Sequence, residues 1–181
     1  KSTLPQLYGR ALLGDAFNEA RGSMDCLMVS VSPGWMDSKD IMGYVNSIDK
    51  KFHPSETGLY LELLKAEYEH QNKDDLAPVR LICLDEMNLA QTEHYFGEVM
   101  TVLEREGIQR RVKVFSEESC GPDCPFRMHG TIKLSPGIRF VGTVNFDETT
   151  RLLSDRLLDR TNLIELQSSD LPSLAGWNPS A

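Results

Sequence analysis

Three short, nearly continuous apolar runs, at residues 27–31, 79–84 and 138–144, constrain this chain more than any other feature. Runs of this length bounded by turn residues suit strands buried on both faces. Between them, apolar residues recur at helical spacing: Leu4, Leu7, Tyr8, Ala11 and Leu12, then Leu59, Tyr60, Leu63 and Leu64, then Tyr95, Phe96, Val99, Met100 and Leu103. Pro5 is compatible with the first helix because it falls in the opening turn. Strands alternating with helices predict an α/β fold of three layers, a parallel central sheet covered on both faces.

The remaining elements follow from smaller signals. The stretch from Ser32-Pro33-Gly34 to about Gly58 reads as a loop, and residues 72–78 close the second helix. Gly107 stands where a glycine ends the third. Val112 and Val114, and later Ile132 and Leu134, alternate with polar residues as a half-exposed hairpin tipped by Cys120-Gly121-Pro122-Asp123-Cys124. Residues 149–159 read as a helix and 162–166 as a last strand.

A chain of 181 residues that is 40% hydrophobic supports one domain, placed at residues 1–167, with 168–181 as a tail or the start of a linker. No apolar stretch has membrane-spanning length and no signal-peptide pattern opens the chain, so a cytoplasmic protein without membrane contact is expected. The formal charge of −8 disfavours a broad nucleic-acid face, which leaves only local contact or contact through other domains. The local basic cluster is Arg105, Arg110, Arg111 and Lys113, either facing DNA or a solvated hairpin edge. Cys26 and Cys83 sit in apolar runs as inert core thiols. Cys120 and Cys124, with His129 nearby, lack a second ligand pair, and the reading is against zinc.

Parallel strands present polar residues at one edge of the sheet, beyond their carboxyl ends. Asp85-Glu86 leaves the run Leu81-Ile82-Cys83-Leu84 there. As a Walker B pair, Asp85 would hold Mg²⁺ and Glu86 would orient and deprotonate an attacking water; otherwise the two acids are a solvated turn. Lys1-Ser2-Thr3 matches the end of the phosphate-binding loop G-x-x-x-x-G-K-[ST] and precedes the required helix, with Lys1 on the β and γ phosphates and Ser2 on Mg²⁺. Alone, that tripeptide is a helix cap. Gly142-Thr143-Val144-Asn145 ends the next strand in an amide suited to positioning water beside a γ phosphate, or to a turn or helix cap.

Arg151, Asp155, Arg156, Asp159 and Arg160 share one short stretch. Arg156 and Arg160 are four apart, which is unfavourable unless acids or an anion compensate. The internal answer pairs Arg156 with Asp159 and Arg151 with Asp155. The external one sends Arg156 or Arg160 to the γ phosphate of a neighbouring subunit. Met87-Asn88 and residues 91–94 follow the acids, either as a helix cap or as a coupling segment.

Taken together, Leu84-Asp85-Glu86-Met87-Asn88, Gly142-Thr143-Val144-Asn145 and Ser154-Asp155-Arg156-Leu157-Leu158-Asp159-Arg160 resemble McrB-type AAA+ proteins, motor subunits of McrBC-like restriction systems. Val31-Ser32-Pro33-Gly34-Trp35 and Gly58-Leu59-Tyr60 extend the resemblance from Lys1 to Leu166. It implies a P-loop NTPase core that hydrolyses ATP, or GTP, with Mg²⁺. Lys1, Ser2 and Thr3 would be in Walker A, Asp85 and Glu86 in Walker B, Asn145 in the sensor position, and Arg156 or Arg160 would act in trans. It also implies a homo-oligomeric ring, hexameric, driving a McrC-like nuclease subunit on DNA. The loop glycines would precede Lys1 and a helical lid would follow Leu166, so the segment alone is expected to be inactive. Asn145-Phe146-Asp147-Glu148 departs from the Asn-Thr-Ala-Asp pattern of the GTP-using motor, which puts ATP first. The alternatives are an assembly scaffold without turnover and a MoxR-like protein-remodelling ATPase.

Overall fold

The computed structural model describes residues 3–13, 26–73, 79–116, 129–145 and 150–165. Its centre is a three-stranded parallel sheet of β1 (Leu27–Ser30), β4 (Arg80–Asp85) and β7 (Ile138–Gly142), with β4 in the middle. Leu27 faces Ile82 across one ladder, and Ile82 faces Phe140 across the other. The three apolar runs thus lie side by side and end at one edge.

Alternation along β4 separates two apolar layers. Ile82 and Leu84 join the larger core with Val29, Ile138, Leu63, Phe96 and Val99. Leu81 and Cys83 form a smaller cluster with Cys26, Met28 and Val141. Helix α3 (Leu59–Lys73) packs on β1 and buries Leu59, Tyr60 and Leu63 completely. Helix α4 (Thr92–Leu103) buries Tyr95, Phe96, Val99 and Met100, and Phe96 meets Phe140 of β7 edge to face at 4.9 Å. The expected stripes of these two helices are therefore their buried faces. Cys26 and Cys83 are both buried, and a hydrogen bond with Cys26, followed by burial, pushes the Cys83 thiol far above its usual range.

Helix α1 (Thr3–Leu13) forms where expected and packs on β4. Leu4, Leu7 and Tyr8 are about half exposed, whereas Pro5 and Gly9, four apart, are buried. Further differences concern short elements. The expected loop after β1 contains helix α2 (Ser38–Met42) and an antiparallel pair, β2 (Gly43–Val45) with β3 (Phe52–Pro54). A capping box starts α2: the Asp37 carboxylate accepts from Lys39 N–H, and Asp40 accepts from Asp37 N–H at 3.0 Å. The expected hairpin is β5 (Arg111–Lys113) against β6 (Thr131–Lys133), Val112 opposite Ile132; its expected tip, with Cys120 and Cys124, lies outside the described residues. Helix α4 ends at Leu103, and Gly107 instead opens a 3-10 turn at φ 57°.

Near the end of the described chain the helix is shorter than expected. Helix α5 covers only Asp155–Leu158, because Ser154 is extended and caps it by accepting from Leu157 N–H at 3.3 Å. Residues 162–165 form no strand; Leu163 and Ile164 are exposed there and no described strand pairs with them. Among the described residues, no helix is long and apolar enough to cross a membrane.

Gly43 joins α2 to β2 at φ 118°, and a Cβ there would lie 2.3 Å from the backbone oxygen of His53. Gly43→Ala is expected to lower unfolding free energy by about 2 kcal/mol or more. Gly34→Ala, with nothing within 4 Å of the added carbon, should change it by less than about 0.5 kcal/mol. Urea denaturation of both variants checks the contrast.

Candidate active site

At the carboxyl edge of the sheet, β4 delivers Asp85 and β7 delivers Thr143 to adjacent positions. The register that sets Leu84 beside Gly142 carries on for one more residue, with Thr143 N–H donating to Leu84 O at 3.0 Å. Thr143 Oγ then makes two bonds. It donates to Asp85 Oδ1 at 2.6 Å and accepts the Glu86 N–H at 2.8 Å. A single hydroxyl therefore fixes the half-buried carboxylate of Asp85 and the backbone of Glu86 together.

Glu86 itself adopts φ 54°, the left-handed region that side chains other than glycine seldom enter. Such a conformation costs of order 1–3 kcal/mol and persists only where the surroundings impose it. Here the imposing bonds flank it: Met87 N–H donates to Thr143 O at 2.9 Å, and Leu89 N–H donates back to Glu86 O at 2.9 Å. The consequence is directional. The chain turns sharply away from β4, leaving Glu86 exposed, and its Oε1 accepts from Asn145 Nδ2 at 3.0 Å.

Below this turn, Asn88 is 1% exposed and fully engaged. Its Nδ2 donates to Asn145 O at 2.7 Å and to Arg151 O at 3.0 Å, and its own carbonyl accepts Arg151 N–H at 3.0 Å. Thr92 and Tyr95 hydroxyls both donate to Met87 O, at 3.1 and 2.9 Å. Burial, ahead of the nearby Glu93 charge, pushes the Tyr95 phenol well up, and Trp35 meets its ring edge to face at 5.2 Å. Gly142 leaves no room beside the buried Met87, whose Sδ would lie 1.9 Å from an added Cβ. The turn is thus anchored from helix α4 as well as from β7.

Asp85, Glu86 and Asn145 come together as one constellation. Thr3 opens α1 and is exposed; Lys1 and Ser2 lie outside the described residues. Arg156 and Arg160 belong to a different surface, in a groove with α4 and the hairpin. Neither expected internal pair forms: residues 151–154 are not helical, which removes the spacing for Arg151 with Asp155, and Arg156 makes no ion pair with Asp159. Arg160 Nε instead meets Glu104 Oε1 at 2.5 Å, beyond the end of α4. The Ser154 hydroxyl donates to Glu93, which docks α5 on the same helix.

Two residues were assigned no such role from the sequence. Asn88, expected either as a helix cap or in a coupling segment, does not cap α4; Gln91 stands at that position and makes no side-chain cap bond. Thr143 follows from strand pairing, because parallel register puts the residue after Gly142 beside the residue after Leu84. His129 is exposed, and its backbone oxygen accepts from Tyr60 OH at 3.1 Å. Compared with known protein families and with curated proteins, the chain matches none.

Thr143→Val is expected to cost about 1–2 kcal/mol, since it leaves the Glu86 N–H without its acceptor, while Thr143→Ser keeps the hydroxyl and most of the stability. Denaturant melts of the pair test this. Equal stability of the valine and serine variants would contradict the bridging role.

Proposed function

We propose that this chain is the nucleotide-hydrolysing core of an AAA+ P-loop ATPase similar to McrB-type motors, acting on a nucleoside triphosphate with Mg²⁺. The observation that carries the reading is the pairing of Glu86, leaving the central strand in a constrained turn, with Asn145 from the neighbouring strand end. A carboxylate held this way is set to orient one water and take its proton. The Asn145 amide fixes the direction in which the carboxylate points and stands beside the same space.

The donor set suits magnesium. Mg²⁺ takes hard oxygen ligands, usually one or two carboxylates completed by water and substrate phosphates. Among the described residues no three His, Cys, Asp or Glu side chains converge on a metal-holding group. Asp85 would therefore hold the ion only together with the triphosphate, with Ser2 as the second protein ligand in this reading. When bound, the ion neutralises charge on the phosphoryl oxygens. Lys1 supplies the cation for the β and γ phosphates, Thr3 begins the helix behind them, and Thr143 keeps Asp85 and Glu86 in fixed relation during the cycle.

In the same reading the protein works as a ring of copies, hexameric, in which Arg156 or Arg160 reaches the neighbour's γ phosphate. ATP is the first choice of nucleotide and GTP the second. The motion drives a nuclease subunit acting on DNA in the cytoplasm.

Glu86→Gln in the full-length protein is expected to keep nucleotide binding and to slow phosphate release by about a hundredfold or more, the usual scale for losing a general base. Nucleotide binding by fluorescence and turnover by phosphate release are measured on the same preparation. Unchanged turnover removes Glu86 from the chemistry. Wild-type protein that binds and assembles with nucleotide but never releases phosphate points to a scaffold instead.

A further inference from the structure

A groove of about 760 Å³ runs between α4, the β5 strand and α5, away from Asp85 and Glu86. It joins basic residues that are far apart in sequence: Arg105 after α4, Arg111 and Lys113 on β5, Arg156 on α5 and Arg160 just beyond it. Val112, Val102 and Met100, each less than a tenth exposed, line its apolar floor. In a chain of net charge −8, five cations on one groove are a local reversal of sign.

Three acids line the same groove, Asp37, Glu93 and Glu98, against five cations, so its balance stays positive. Asp37 caps α2 and pairs with Lys39 at 3.3 Å; Glu93 accepts the Ser154 hydroxyl; Glu104 is taken by Arg160. His94 also lines the groove. Arg105, Arg111, Lys113 and Arg156 form no ion pair among the described residues, and all four are exposed. Four unpaired cations facing one space repel each other, and the free energy falls when an anion enters.

We propose that one wall of this groove, Arg105 after α4 with Arg111 and Lys113 of β5, binds the phosphate backbone of a nucleic-acid strand. Val112 points into the core while Arg111 and Lys113 point outward, so the two cations stand on one face, roughly 7 Å apart. Successive phosphates along a strand are matched by such a row of separate cations, whereas a single phosphate is too small to engage a groove of this size. Two of the three are arginines, which grip phosphate oxygens through two parallel N–H donors. The acidic remainder of the chain confines binding to this strip, so affinity is modest and steeply dependent on salt. The assignment rests on the groove alone and holds whether or not Glu86 acts in hydrolysis.

The test is fluorescence anisotropy with a labelled mixed-sequence single-stranded DNA oligonucleotide, titrated with the purified protein at several salt concentrations. The wild type is expected to bind at low salt. Arg111→Glu with Lys113→Glu should weaken binding at least about tenfold and flatten the plot of log K against log salt by about 1.4, two contacts at about 0.7 each. Arg105→Glu, alone, is a second and milder variant expected to act in the same direction. Glu86→Gln should leave oligonucleotide binding as it is, which separates this inference from the hydrolysis reading. Equal binding by wild type and double variant, or no binding at low salt, overturns the proposal. Loss of nucleotide-dependent self-association in the double variant, with oligonucleotide binding intact, also overturns it and gives the groove to a second copy of the chain.

Discussion

The hydroxyl of Thr143 is the contact on which the rest of the site depends. It ties the end of β7 to the end of β4 by donating to Asp85 and accepting from Glu86. Without it, the left-handed backbone at Glu86 would lose one of the bonds that hold it. With it, a carboxylate is presented above the sheet at a fixed angle, where the Asn145 amide meets it. The constraint comes from packing further down. Parallel pairing of three apolar strands sets the register, and the register sets which residues emerge side by side.

A second level of support lies under the turn. Asn88 binds the backbone on both sides of the segment between Asn145 and Arg151, and Tyr95 and Thr92 hold the Met87 carbonyl from α4. Buried amides and hydroxyls of this kind are costly when half satisfied and rigid when fully satisfied. The described bonds place Asn88 in the second category. Movement of the acidic turn would therefore be transmitted both to the Arg151 segment and to α4, the helix whose far end meets Arg160.

Much of this is legible in the sequence. Continuous apolar runs ending in Asp85, and in Gly142-Thr143-Val144-Asn145, mark central strands and the edge where they deliver polar groups. Periodicity found α3 and α4 and their buried faces. It places α1, but Leu4, Leu7 and Tyr8 of the expected stripe are exposed while Pro5 and Gly9, which carry little hydrophobic signal, are buried. Helix α2 was missed although Asp37 and Asp40 form a capping box, since five residues are too few for a periodic stripe. The expected Arg151–Asp155 pair is lost because the helix starts only at Asp155, after its cap Ser154. The clamp role of Asn88 is not legible in the sequence, as a buried clamp and a surface turn use the same residue type. The groove basic residues are distant in sequence, and only folding unites them.

The account stands or falls on whether Asp85, Glu86 and Asn145 surround a triphosphate and its metal. The direct measurement is a crystal structure of the full-length protein with manganese in place of magnesium and a non-hydrolysable ATP analogue, with the metal located by its anomalous scattering. The account predicts a peak at the carboxyl edge of the sheet, bound by Asp85 directly or through one water, with the γ phosphate facing Glu86 and Asn145. Nucleotide bound with its metal at any other place would contradict it.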